Sequence, residues 1–350
     1  MRTYRRSRVR SSRGHVRVDR RPPWMRWAVR GVVIGCVAVV AFLVLKQFVL
    51  NGEEEQERAE NNRTWLEFAW AMDPVNPDAV QQLGERLRSN GINRVYLEAS
   101  AWRSDNALIE AAHAADFARE LRSVYPQIKI LLWLRMSGEQ IAQPELQAAV
   151  TQLSQKAIQE WKFDGVQLNS RAVIDGSESY IGLLRQLRTV LGSEALLSVT
   201  VPPDRIPSDP EVPIGPTIDP NLTWGVNYKQ RVGLLQVDEI VIMAHASGLT
   251  DSKAYETWVA YQITSYTEVL SRLERPVDII VALPTYDAAP EHDPLIEDVS
   301  ASIRGVKLGI KNAGSQRQWI KGVGLYEYKT TDSLEWARYR EEWLLKDNDQ

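Results

Sequence analysis

Eight apolar, strand-like runs, each followed by an amphipathic helical stretch, fill the chain from residue 64 to residue 345. This alternation constrains the fold more than any other feature. The runs are WLEFAWAMD (65–73), INRVYLEAS (92–100), IKILLWLRM (128–136), FDGVQLNSR (163–171), LLSVTVPP (196–203), VDEIVIMAHA (237–246), VDIIVALPTYD (277–287) and GVGLYEYK (322–329). Helical periodicity follows at 77–89, 106–123, 144–161, 177–191, 226–235, 253–273, 293–313 and 332–345. Strict βα alternation requires parallel strands, because each return to the sheet needs a crossover helix. Eight such units in about 285 residues match a closed (β/α)8 barrel. A doubly wound sheet is the competing architecture, but no Gly-rich phosphate turn follows the first strand.

The segment before the barrel is of a different kind. Residues 1–30 hold eleven Arg and one Asp, whereas beyond Leu50 there are 30 Lys/Arg against 44 Asp/Glu. Between them lies GVVIGCVAVVAFLVL (31–45), free of charge. Extended to Trp27 and Leu50, it is interrupted only by Arg30 and Lys46, whose long stems can carry their charges to an interface. A helix of about 20 residues crosses the hydrocarbon core. The reading is a single transmembrane helix at 27–50 on a basic cytoplasmic tail, 1–26. A charged stalk (51–63) and an extracytoplasmic barrel domain (64–350) follow, oriented by the Arg excess. A cleaved signal peptide fits less well, since KQFVLNGEEE offers no small-x-small site. The lipoprotein-like VIGC (33–36) is followed by further apolar chain, which argues against cleavage there. The Arg-rich head is explained by topology and anionic lipid, and no nucleic acid partner is expected. Cys36 is the only cysteine, so the barrel carries no disulfide and depends on its core.

In such barrels chemistry sits at the C-terminal ends of the strands. Four of those ends together resemble the chitinase-like glycoside hydrolases of family 18. The family's fourth strand reads D-G-x-D-x-D-x-E, and this chain has FDGVQLNSR. VDEIVIMAHA is similar to the sixth-strand D-x-I…M-x-Y-D pattern, ALPTYD to the seventh-strand GLPFYG, and GVGLYE to the eighth-strand Gly…Trp-Glu. The order and spacing match across 64–345. The resemblance implies a TIM barrel that engages polysaccharide, and equally implies what is changed. Arg171 stands where the family holds its catalytic Glu, and Gln167 and Asn169 replace the two supporting Asp. His245 and Ala246 replace the Tyr and Asp that hold the substrate acetamide, and Tyr326 replaces the Trp that floors the subsite. Asp164, Gly165, Met243 and Tyr286 remain. The substrate-assisted mechanism of the family is therefore not expected.

Glycoside cleavage needs a proton donor and a second carboxylate about 5–9.5 Å away. Asp73, Glu98, Asp287 and Glu327 are the carboxylates near strand ends, and the last three are the candidates. Glu98 shares the inward face with Tyr96, whereas Glu327 shares its parity with Val323 and Leu325 and points away unless the strand has ended. Rim carboxylates held in salt bridges are the plainer account of all three. Arg135, at the end of the third strand, and Arg171 form a candidate anion site for an acidic or phosphorylated glycan, since Arg forks grip carboxylate or phosphate in two-bond geometry. The plainer account is that they neutralise Glu98 and Asp164. Trp102, Trp133, Tyr286 and Tyr326 offer aromatic faces suited to sugar rings. With Gln167, Asn169, Met243 and His245 they complete the expected binding set. Four scattered His and no HExxH or Cys/His cluster make a metal site or other cofactor unexpected. Three roles stay open: a binding module for polysaccharide, acidic polysaccharide included; a glycosidase with a relocated acid such as Glu98; and a protein-interaction scaffold, should the 203–226 loop plug the mouth.

Overall fold

In the computed structural model, which describes residues 56–216 and 219–345 together with 37, 39, 40, 42, 46 and 52–54, eight parallel strands close into a barrel. The barrel strands are β1 (Asn62–Leu66), β2 (Ile92–Leu97), β5 (Lys129–Ser137), β6 (Gly165–Arg171), β7 (Leu196–Val201), β8 (Glu239–Ile242), β9 (Asp278–Pro284) and β10 (Ile320–Tyr326). They pair in chain order, and β10 meets β1 to shut the ring. A two-stranded hairpin, β3 (Ser100–Trp102) with β4 (Leu108–Glu110), stands on the rim after β2. Val95, Leu97, Val166, Leu168, Ile279 and Val281 face outward into the continuous apolar layer beneath the helices. Trp65, Tyr96, Leu131, Trp133, Val241, Ile280, Ala282 and Tyr326 fill the barrel interior. Gly165 is required where β6 passes β7, since a Cβ there would stand 2.2 Å from the Leu196 carbonyl oxygen.

The chain divides into residues 1–53 and 54–350. In the first part the described residues Val37, Val39, Val40, Phe42 and Lys46 are helical. The tail 1–26 and most of the span 27–50 lie outside the described residues, and among those described no helix is long and apolar enough to cross a membrane.

Three local expectations are corrected. The first strand is Asn62–Leu66 rather than 65–73, and Ala69–Met72 forms a short helix. The strand begins in polar residues because the barrel supplies partners for each. Asn62 accepts from the Val323 amide and the Trp343 indole, Thr64 donates to the Leu325 carbonyl, and Arg63 bonds Glu239. The end of the charged stalk thus belongs to the barrel. Helical residues 56–59 lead into it, Arg58 is buried, Glu57 pairs with Lys321, and Glu54 pairs with Arg317. The second correction concerns 106–123. The helix begins only at Ala114, because the residues before it build the rim hairpin. The helix expected over 293–313 also starts late, at Val299 after its Asp298 cap; the others stand within a few residues of their predicted bounds, with Pro77–Ser89 coinciding fully.

Candidate functional site at the barrel mouth

The residues singled out from the sequence divide into a floor and a rim. Gln167, Trp133 and Tyr326 are the floor, 0%, 1% and 7% exposed, so none offers a free face to a sugar ring. Tyr326 sits at the centre of an aromatic cluster. Its ring stacks on His245 at 5.4 Å and 18°, and meets Trp133 and Tyr286 edge-on at 6.1 Å. His245 Nδ1 lies 2.8 Å from the Tyr286 hydroxyl, while its buried Nε2 has no protein partner. Burial holds the His245 imidazole down to about pKa 4, against the attraction of Glu297, so the ring is neutral at pH 7. Met243 packs against this cluster from β8's end.

The rim is built on β2, β5 and β6. Glu98, Ser100, Trp102, Arg135, Ser137, Gln140, Asn169 and Arg171 line a cavity of about 360 Å3. Trp102 is fixed there by its indole N–H, which donates to the Arg135 carbonyl at 2.6 Å. Asn169 is buried below, and Arg171 ends β6 with an exposed side chain. Ala172 (φ 56°) and Ala246 (φ 55°) are left-handed, turning the chain away immediately after Arg171 and His245.

The charges are arranged unevenly. Arg135 is ion-paired with Glu98 and lies over the Trp133 ring at 5.2 Å. Arg122 pairs with Asp164 at 2.7 Å, and Asp164 also accepts the Ile130 amide, well away from the mouth because it precedes β6. Arg171 pairs with neither acid. Its charge acts instead on Tyr326, Tyr286 and His245. Arg171 therefore reaches across from β6 toward the ends of β8, β9 and β10.

Of the three carboxylates, Glu98 and Glu327 interact electrostatically, and Asp287 does not enter their surroundings. Burial raises the Glu98 pKa despite Arg135. Burial also raises that of Glu327, with Glu98 and Glu67 adding to the rise against Arg135. β10 has ended at Tyr326, which frees Glu327 from the outward parity of Val323 and Leu325. Asp287 is exposed in the loop after β9. Among the described residues no group of His, Cys, Asp and Glu is placed to hold a metal ion. The 203–226 loop lines a separate cavity outside the barrel, not the one at the mouth.

Sequence reasoning missed two buried networks. Inside the barrel, at the strand starts, Glu239 is bound by Arg63, Arg94, Tyr96 and Ser198. Burial alone would raise its pKa, but the two guanidinium groups and two hydroxyls bring it down to about 2. The signal was parity, since Arg63, Arg94 and Glu239 share the inward face of Trp65, Tyr96 and Val241. Beside the mouth, Glu297 accepts from the Ala246 and Ser247 amides and contacts His292 at 2.6 Å. Ser247 bonds the Glu297 carboxylate, so the Ser, His and Glu make a loop clamp without the nucleophile–base contact of a hydrolase.

No family model matches the sequence, and no curated protein matches it either. Solved structures do. The spore cortex-lytic enzyme SleL of Bacillus cereus has a TM-score of 0.53 at 12% identity, covering 81% of this chain and 74% of that one. A family 18 chitinase from Cycas revoluta in complex with (GlcNAc)3 gives 0.53 at 12% identity over 81% and 99%. A class V chitinase from Pseudomonas fluorescens gives 0.51 at 15% identity over 80% and 98%. The barrel has the fold of the chitinase-like family 18 glycoside hydrolases.

Proposed function

We propose that the barrel binds polysaccharide at the mouth without the acetamide-assisted hydrolysis of family 18, and that an N-terminal helix displays it outside the membrane. One observation carries this reading. At the end of β6 the mouth presents a guanidinium, Arg171, which no carboxylate among the described residues neutralises. A cation there opposes the oxocarbenium-like charge of glycoside cleavage, while Trp102, Asn169, Ser100 and Gln140 line a cavity suited to sugar hydroxyls. The likeness to a chitinase complexed with (GlcNAc)3 supports a saccharide as the ligand class. The test is calorimetry of the full-length protein with envelope glycan fragments, alongside product analysis with chitin oligosaccharides. Binding without turnover is expected, and turnover of chitin oligosaccharides by the parent protein would reverse the assignment.

The membrane part of the reading rests on the uncharged run 31–45 and the eleven Arg before it. A tag at residue 1 should be protected from protease added outside, and the barrel accessible. Recovery of a shorter chain beginning near residue 51 would instead identify 31–50 as a processed signal. A second reading, a glycosidase with relocated acids, is favoured by Glu98 and Glu327, whose pKa values burial raises, with the charge of Glu98 acting on Glu327.

A further inference from the structure

We infer that Arg171 reads a single sugar-borne carboxylate, making the mouth selective for uronate-type glycans over neutral ones. This deepens the polysaccharide-binding reading and rests on it. The mouth contains two guanidinium groups, and the structure gives them different tasks. Arg135 is occupied by Glu98, with Glu67 and Glu327 close by. Arg171 is exposed, lines the mouth cavity and makes no ion pair among the described residues; the nearest groups on which its charge acts include the neutral Tyr326. A guanidinium carries five donors in a planar fork, which this exposed side chain can turn to a ligand.

The surroundings decide which anion suits it. Beside Arg171 the cavity is lined by Asn169, Ser137, Gln140, Ser100 and Trp102, neutral groups that can bond a ring's hydroxyls or lie along its face. Glu98 lines the same cavity, ion-paired with Arg135, and the charges of Glu67 and Glu327 act there too, so that the Glu98 end repels further negative charge. The arrangement accepts one planar, singly charged group at the β6 end and disfavours a densely charged polyanion. A carboxylate matches the fork with two parallel N–H···O bonds. A cavity of about 360 Å3 lies at the small end of ligand sites, about 300–1,000 Å3, which fits a short glycan stretch.

The experiment titrates the full-length protein with oligogalacturonate and hyaluronan oligomers, their carboxyl-reduced counterparts, and a sulfated oligosaccharide. The uronates should bind about ten- to a hundredfold more tightly than the reduced sugars, the worth of a charge-assisted fork. Arg171→Gln should bring the uronates down to the affinity of the reduced sugars, which should not change. Arg171→Lys, keeping charge without the fork, should fall between. Melting temperatures close to that of the parent would show that the variants are folded. Equal affinity for uronate and reduced sugar, or a preference surviving Arg171→Gln, would overturn the inference and leave polysaccharide binding standing. A stronger, Arg171-dependent preference for the sulfated sugar would overturn the carboxylate assignment. Failure of the folded parent to bind any of these sugars would remove both this inference and the reading beneath it.

Discussion

The guanidinium of Arg135 closes onto the carboxylate of Glu98 across the ends of two neighbouring strands, β5 and β2. Glu98 is almost wholly buried, while the Arg135 side chain is 49% exposed. The pair thus keeps a buried carboxyl satisfied and removes Arg135 from ligand binding. Arg135→Ala should raise the Glu98 pKa further and cost about 1–3 kcal/mol of stability, the penalty for stranding a buried acceptor. Urea unfolding near pH 7 measures it. The variant's preference between uronate and reduced sugars should stay as in the parent.

Glu239 organises the lower half of the barrel. Its carboxylate is fully buried among Arg63, Arg94, Tyr96 and Ser198. Removing one member of a buried ion network typically costs about 3–5 kcal/mol. Glu239→Gln should lower stability by that order, read from denaturant midpoints, because two guanidinium groups lose their counter-charge. The depressed carboxyl pKa also sets a sign. Its stabilisation is complete above the unfolded pKa near 4.5 and is lost as pH falls toward about 2. The Glu239→Gln variant should therefore show a shallower loss of stability than the parent below pH 4.5.

The barrel itself was legible because period-two runs and helical stretches alternate without interruption. Parity put Glu98 on the face of Tyr96, and the structure buries both. What parity does not give is depth. Trp133 and Arg135 share one face of β5, yet Trp133 is sealed in the interior and Arg135 reaches the rim. Nor does it give partners. Arg63 lies 176 residues from Glu239, and nothing local tells that a charged residue beside a stalk will be paid for by another strand's acid. The rim hairpin was likewise hidden, since residues 106–113 carry mixed periodicity and the pairing of Trp102 with Leu108 fixes them.

The position of β1 gives a direct test of the domain boundary. A chain starting at residue 64 would lack Asn62 and Arg63, and with them the bonds to Val323, Trp343 and Glu239. Residues 54–350 should unfold cooperatively, whereas 64–350 should lose at least the roughly 3–5 kcal/mol of the buried Arg63 pair. Circular dichroism melts of the two truncations compare them. Equal melting temperatures would mean that the segment 54–63 adds nothing to the barrel.

His245 makes acid stability a probe of the mouth. The unfolded chain takes up a proton near pH 6.5, but burial makes the folded site refuse it until about pH 4. The neutral ring therefore favours folding fully above pH 6.5, and this contribution is lost progressively as pH falls through that window. His245→Gln removes the titration. Plotted against pH, the stability difference between parent and variant should slope between pH 6.5 and 4 and flatten on either side.

Glu98 and Glu327 decide between binding and hydrolysis. Both carboxyls are raised by burial, so each keeps its proton to higher pH than an exposed Glu, as a general acid must. Yet the proton of Glu98 competes with Arg135, which favours the ionised form, and Arg171 places positive charge where cleavage would need negative. Hydrolysis of chitin oligosaccharides should accordingly stay at the uncatalysed level. General acid help is worth about 10²–10⁴ in rate, so its absence is measurable by product chromatography. Turnover abolished by Glu98→Gln would instead move the acid to the end of β2, with Glu327 as its partner. Turnover that survives both Glu98→Gln and Glu327→Gln would show that neither carboxylate is the donor.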